Sequence, residues 1–335
     1  MQLINAPVPF SPAFGEILYT LSLSEEEKGE EISIFNSAVT EKIGIKKAAD
    51  APEFSMNVSD YVRSQIRIEP FPWQDSGIIE AIGRTWYSCI AHQDWASINP
   101  HTAGIVPAGM NELLCENIIR YLGDSEQDEI CWIAGEGPVS ARILFPVSGS
   151  DPVEIPLGQK EVAKPKILAL ILNSKHLNLL LQKQGKKWND FSAFSVEIYA
   201  SYELMARLEY RIRPHNCSKT RFGWWNRQGG IDFYSFEVCR KEEMQVVKQQ
   251  LLAGEKKVNL TARSTKTGIV ATACTTRKNA EWIARIAAAP QVWIVENEQF
   301  VPVGISSLNI PIYDPDLSEV EIHFEYSKHT DFQSF

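Results

Sequence analysis

The sequence predicts a mainly β protein of tandem β-sandwich-like domains with one or two short helices. Three observations carry this prediction: two-residue alternation in several segments, an aromatic hairpin at residues 221–237, and few helical signals. Leu204, Ala206, Leu208, Tyr210 and Ile212 alternate with Met205, Arg207, Glu209, Arg211 and Arg213. Side chains of a strand point alternately to its two faces, so this pattern gives one apolar and one largely charged face. Val320, Ile322, Phe324 and Tyr326 repeat it, as do Ile17, Tyr19, Leu21 and Leu23, and Phe194, Val196 and Ile198. The run Ile167–Leu172 is apolar throughout, which fits a strand buried on both faces; periodicity alone leaves a buried helix open.

The hairpin reads Arg221-Phe-Gly-Trp-Trp-Asn-Arg-Gln-Gly-Gly-Ile-Asp-Phe-Tyr-Ser-Phe-Glu237. Aromatic strands flank Gly229-Gly230, and glycines supply the positive φ angles of a tight reversal. Alternation predicts that Trp224, Phe233 and Phe236 pack inward while Trp225 and Tyr234 point outward. Those outward rings, with Arg227 and Gln228, form a candidate assembly or ligand-contact surface, because Trp, Tyr and Arg dominate interface energetics. The same set would also stack against a sugar.

Two helices are expected. Ile283, Ile286 and Ala287 sit at helical spacing within Asn279–Ala289, with Thr275 or Thr276 to cap the start and Pro290 to stop the end. Asn111–Leu122 places Leu114, Ile118 and Leu122 four apart, with Gly123 as a C-terminal cap. Residues 241–252 fit either state. The stretch Pro146–Pro165, rich in Pro, Gly, Ser and charge, reads as a linker or a sheet-to-sheet connection. It sets an expected division into domains 1–160 and 161–335. A smaller break falls near 69–73, where Pro70 and Pro72 remove ladder donors.

The chain has 335 residues, with 33 basic against 42 acidic side chains and a net charge of −9. That balance argues against general nucleic-acid binding. The basic clusters at 183–187 and 207–213 are read as solvated faces. There is no apolar run of membrane-spanning length, and the N-terminus lacks the pattern of a secretion signal, so synthesis in the cytoplasm is expected. Six cysteines (89, 115, 131, 217, 239, 274) are spread too widely for a zinc ribbon or a disulfide framework.

Catalytic motifs are lacking. No Gly-x-Ser-x-Gly elbow or phosphate-binding Gly-Lys-Ser/Thr loop occurs, and Gly135-Glu136-Gly137 runs into Pro138 without the third glycine of a dinucleotide site. His215-x-Cys217 supplies half of a metal site and no second ligand pair. The expectation is a protein with no catalytic residues, cofactor or metal.

The segment Gly223-Trp-Trp-Asn-Arg-Gln-Gly-Gly-Ile-Asp-Phe-Tyr-Ser-Phe236 resembles a Trp-Leu-Asn-x-x-Gly-Gly-x-Asp-x-Tyr-x-Phe element of tail and baseplate-type structural proteins from phages and prophages of Bacteroidetes, with Trp225 in place of the more usual Leu. Ser11-Pro12 leading into Glu16–Leu23, the stretch Phe54–Val62, and the series Glu281-Trp282-Ile283, Ala289–Trp293 and Val301-Pro302-Val303 are similar to the same group. The resemblance implies a virion component made in the host bacterial cytoplasm. It would be a tail, baseplate or connector protein, assembled as a ring-like homo-oligomer with neighbouring tail proteins. It implies no catalytic residues. The alternatives are a carbohydrate- or receptor-binding module on the same scaffold and, third, a glycan hydrolase. The N-terminal segment Met1–Pro12, with three prolines, is expected to lie either on a neighbouring subunit or on its own domain.

Overall fold

The computed structural model describes residues 69–81, 110–213, 220–226, 228–253, 256–273, 275–310, 312–314, 317–327 and 330–332, and shorter stretches before them: 2–5, 10–11, 18–27, 31–36, 41–47, 53–58, 60 and 96–97. The chain is mainly β, with two α-helices among the described residues.

Gly77–Glu80 and the strands between Glu112 and Arg213 form two facing sheets. One has five strands in the order Arg120–Gly123, Glu203–Arg213, Ala193–Ala200, Gly137–Phe145, Val153–Val162. The other has four, in the order Gly77–Glu80, Lys166–Asn173, Gln127–Ala134, Glu112–Leu113. Val139, Ile143, Val196, Leu208 and Tyr210 from the first meet Trp132, Leu168, Leu170 and Leu172 from the second in one core. The apolar run at 167–172 is the central strand expected to be buried on both faces. Its even residues fill the sandwich core, while Ile167 and Ala169 join Ala81, Leu114, Cys131 and Ile133 on the back of the same sheet.

The second unit is an eight-stranded sheet. Its order is Ile231–Phe236, Thr220–Trp225, Val292–Glu296, Gln299–Asn309, Glu321–Tyr326, Lys256–Ala271, Val238–Ala253, with Thr330–Phe332 also paired to Lys256–Ala271. The helix Arg277–Ala284 and the 3-10 turn Arg285–Ala288 lay Trp282, Ile283 and Ile286 against Phe222, Trp224, Tyr234, Phe236 and Phe324. The Thr276 hydroxyl caps this helix by accepting from the Asn279 N–H. This is the helix expected at 279–289.

Several expectations are corrected. No helix forms over 111–122. Leu114, Ile118 and Leu122 each enter a different core, so their spacing marks no single helical face. Sheet pairing claims the segment instead, with Arg120–Gly123 running parallel to Tyr210–Arg213. The chain does not divide at 160/161. Lys166–Asn173 pairs with Gln127–Ala134, and Ala193–Ala200 pairs with Gly137–Phe145, so strands from both sides of that position share both sheets. The Pro/Gly-rich stretch is a hairpin connection between Phe145 and Val153. Pro156 and Gly158 (φ 105°) sit in an edge strand opposite a register shift, where a proline is tolerated. The change of sheet falls between Arg213 and Thr220. Residues 241–252 prove to be strand. A helix not foreseen, Ser174–Lys183, begins where Asn173 accepts hydrogen bonds from the N–H groups of Lys175 and His176, and it buries Leu177 and Leu181. At the N-terminus, Gln2–Asn5 pairs antiparallel with Leu18–Ser22 of the same chain, which is the intrachain alternative.

The aromatic hairpin exists with Trp225 opposite Ile231 and Thr220 opposite Phe236. Its loop has five residues, Asn226–Gly230, rather than the two of a tight reversal. The Asn226 side chain organises it by accepting from the N–H groups of Gln228 and Gly230. Among the described residues of the loop, only Gly229 has positive φ (101°). Gly230 is required for a different reason: a Cβ there would stand 2.5 Å from the Leu114 carbonyl oxygen, a backbone atom. Gly230→Val is therefore expected to lower stability by about 1–3 kcal/mol or more through overpacking, read as a lower urea midpoint. A variant of unchanged midpoint would show that the Leu114 chain is free to retreat.

Candidate functional site

The expected outward face of the hairpin is corrected by its burial. Trp225 is 1% exposed and Tyr234 2%, Gln228 is half-buried with its Nε2 donating to Glu116 Oε1 at 3.4 Å, and Arg227 lies outside the described residues. The cause is two-sided packing. Phe222, Trp224, Tyr234 and Phe236 face the helix Arg277–Ala284, while Arg221 and Ser235 face the sandwich unit. A surface role for Trp225 and Tyr234 in the folded chain is thereby removed.

What holds the hairpin between the two units is a set of buried ions. Asp232 accepts from Arg120 Nη2 at 2.6 Å and from the Trp282 indole N–H at 2.9 Å. Arg120 Nη1 stands 3.7 Å from Asp128, which also accepts from the Tyr210 hydroxyl at 3.0 Å. Beside it, Glu126 accepts from the Gly123 N–H (2.6 Å), Arg221 Nη1 (2.8 Å) and the Ser235 hydroxyl (2.6 Å). Arg221 also donates to the Gln127 carbonyl. Arg213 pairs with Glu237 at 2.7 Å and lies between the rings of Tyr121 and Tyr234, 4.3 and 4.6 Å from their centroids.

Electrostatics make this a clamp rather than a reactive centre. Burial pushes the Asp128 carboxyl up, with Arg120 and Arg221 pulling it back. Burial opposes the charge on Arg120, yet Cys115, Asp232 and Asp128 hold its guanidinium above the ordinary value. Burial raises Cys115 to about 11, so its thiol stays protonated near neutral pH and is a poor nucleophile. Burial and Asp128 likewise push Tyr210 up. The sequence signal for the clamp was present: Arg221 and Asp232 are the charges within the two aromatic strands Thr220–Trp225 and Ile231–Phe236. Their partners Arg120, Glu126 and Asp128 are distant in sequence and carried no such mark.

The exposed functional candidate lies at the other edge of the same sheet. Val238–Ala253 and Lys256–Ala271 make an antiparallel ribbon of sixteen residues per strand, about 50 Å long at about 3.3 Å per residue. The body supports only its base. Glu321–Tyr326 pairs with Thr267–Ala271, and Thr330–Phe332 pairs with Ala262–Ser264. Beyond residue 262 towards the tip, the ribbon has no third strand among the described residues. Its outer strand, Val238–Ala253, pairs on one side alone among the described residues. Val238 through Met244 are all exposed, so both faces of that strand meet solvent there, and Met244 and Val246 are 64% and 45% exposed. Residues 244–266 carry five basic and one acidic side chain, a net of +4 in a chain of −9, which leaves −13 on the rest.

Among the described residues, no group of three or more His, Cys, Asp or Glu is placed to hold a metal ion. His215 and Cys217 lie outside them. No helix among those residues is long and apolar enough to cross a membrane. No family model matches the chain, and no curated protein matches it. Solved structures similar to it include a chain from the virion of a native gene transfer agent particle, at 10% identity and a TM-score of 0.21, covering 34% of this chain and 95% of that one.

Proposed function

We propose that this chain is a non-enzymatic virion structural protein that works by assembling with copies of itself. The observation that carries the reading is the ribbon Val238–Ala271. An isolated two-stranded ribbon is marginal in water, and a long unpaired edge is a template for another strand. A second copy of this chain is the occupant that fits. The ribbon's net of +4 meets a body of −13, and the open edge continues a sheet that is already formed. The resemblance of residues 223–236 to tail-protein elements supports the finer reading: a tail, baseplate or connector component in a ring-like oligomer beside other tail proteins, made in the host bacterial cytoplasm and residing in the virion. Native mass spectrometry over a concentration series tests the assembly reading. The expected result is a closed set of multiples of the 37.8 kDa chain that dissociates as salt is raised. A monomer at every concentration would overturn it.

A further inference from the structure

We propose that the outer strand Val238–Ala253 pairs with the same strand of a second copy, antiparallel and about a two-fold axis through Gln245. This rests on the assembly reading above and names the surface that the second copy presents.

The strand is complementary to itself. Lys241–Gln249 run in unbroken register with their inner neighbour, between a bulge at Arg240 and a register shift at Gln249–Gln250. Glu242, Met244, Val246 and Lys248 hold alternate positions in that stretch and so share one face. The face reads acid, apolar, apolar, base. Turned end over end it reads base, apolar, apolar, acid, so an antiparallel copy meets it with unlike charges at both ends. A parallel copy in register would set Glu242 beside Glu242 and Lys248 beside Lys248, which is unfavourable.

The charges also choose the register. A two-fold axis normal to the sheet keeps every side chain on its own face, so it passes through a residue and not between two. With the axis on Gln245, Lys248 stands opposite Glu242 and Val246 opposite Met244, each twice, as an isologous contact requires. With the axis on Met244, Lys248 would stand opposite Arg240. With it on Val246 or Val247, Lys248 would stand opposite Met244 or Val246, and Glu242 opposite Gln250 or Leu252. Of these four registers, the one through Gln245 joins opposite charges. It also sets the exposed Met244 and Val246 of one copy against those of the other. Glu242 lies 3.6 Å from Lys266 of its own ribbon with its side chain 51% exposed, so a second cation can approach it.

The other edges fit less well. Val153–Val162 is guarded by Pro156 and a register shift, and the remaining outer strands of the two sandwich sheets and the eight-stranded sheet have six residues or fewer. A second Val238–Ala253 matches the first in length. Antiparallel pairing then carries the basic tip of each ribbon past the base of the other, towards the acidic body.

Disulfide trapping in the full chain tests the register, with the exposed thiol removed by Cys239→Ser as the blank. Residues opposite each other in an antiparallel pair have Cα atoms about 4.5–5.5 Å apart, within disulfide reach, so Gln245→Cys should crosslink two copies under mild oxidation. Val247→Cys should not, because its two copies would stand about 13 Å apart. Glu242→Lys and Lys248→Glu should each weaken self-association about tenfold with an unchanged melting temperature. Mixed one to one, the two variants should associate as tightly as the unaltered chain, since unlike charges then meet at both positions. Native mass spectrometry should show even multiples of the chain. Odd multiples, a crosslink through Val247→Cys in place of Gln245→Cys, or a mixture no tighter than its components would overturn the two-fold register while leaving self-assembly standing. A chain that stays monomeric at every concentration would overturn both.

Discussion

Asp232→Ala is expected to lower the stability of the chain by about 3–5 kcal/mol, the cost of removing one partner from a buried ion pair. Asp232 is 1% exposed and carries two roles at once, accepting from Arg120 at 2.6 Å and from Trp282 at 2.9 Å. Without it, the fully buried Arg120 keeps, among the described residues, only Asp128 at 3.7 Å as a carboxylate partner, and that carboxyl is itself pushed towards its neutral form by burial. The Trp282 N–H loses its acceptor in the same step. Asp232→Asn retains an oxygen for one of the two donors and is expected to cost less. Replacing Arg120 and Asp232 together by Met and Leu should recover much of the loss, because no uncompensated charge from that pair then remains. Urea denaturation followed by tryptophan fluorescence reads all three. A loss below about 1 kcal/mol for Asp232→Ala would mean that Arg120 reaches solvent or another acceptor, against the burial described here.

Shortening the ribbon is expected to abolish assembly while leaving the fold intact. Val246 pairs with Ser264, so replacing residues 247–263 by Asn-Gly closes the ribbon in register with a two-residue turn. Thr267–Ala271 keeps its pairing with Glu321–Tyr326, no residue of the two main cores lies in the removed segment, and the loss at the base is confined to the pairs of Ala262 and Arg263 with Phe332 and Asp331. The melting temperature should therefore change by only a few degrees, since about 1 kcal/mol shifts it by about 2–4 °C in chains of 150–250 residues. The oligomer should be lost at every concentration. Because the segment carries Lys248, Lys256, Lys257 and Arg263 against Glu255, charge reversal at the three lysines should weaken assembly in the same direction and reduce its response to salt. An unchanged oligomer in the shortened form would place the self-contact elsewhere on the molecule.

The strand pattern was legible where one face of a strand is wet. Ile322, Phe324 and Tyr326 are buried as their alternation predicts, and Leu208 and Tyr210 follow the same rule. Alternation misled at the hairpin, because Thr220–Trp225 and Ile231–Phe236 are buried on both faces: Trp225 and Tyr234, expected outward, are buried, and the polar residues Arg221, Asp232 and Ser235 are paired inside. Four-residue spacing misled at 114–122, where tertiary pairing outweighed a weak local preference. Proline and glycine density misled at 146–165, since an edge strand with a bulge contains the same residues as a linker. The helix Ser174–Lys183 had a readable start at Asn173, hidden by the apolar run before it. Of the functional surfaces, the ribbon's basic excess was visible in the sequence, whereas its isolation from the rest of the sheet depends on which strands stop short of it.

Hydrogen exchange of the ribbon amides tests the central claim most directly. In a monomer the outer-edge amides of Val238–Ala253 that point away from Lys256–Ala271 have no backbone partner among the described residues and should exchange within the mixing time. If a second copy completes the sheet, protection of residues 244–262 should appear as concentration rises, in step with oligomer mass, and disappear at high salt. Exchange that stays fast across the concentration range at which the oligomer forms would contradict the account.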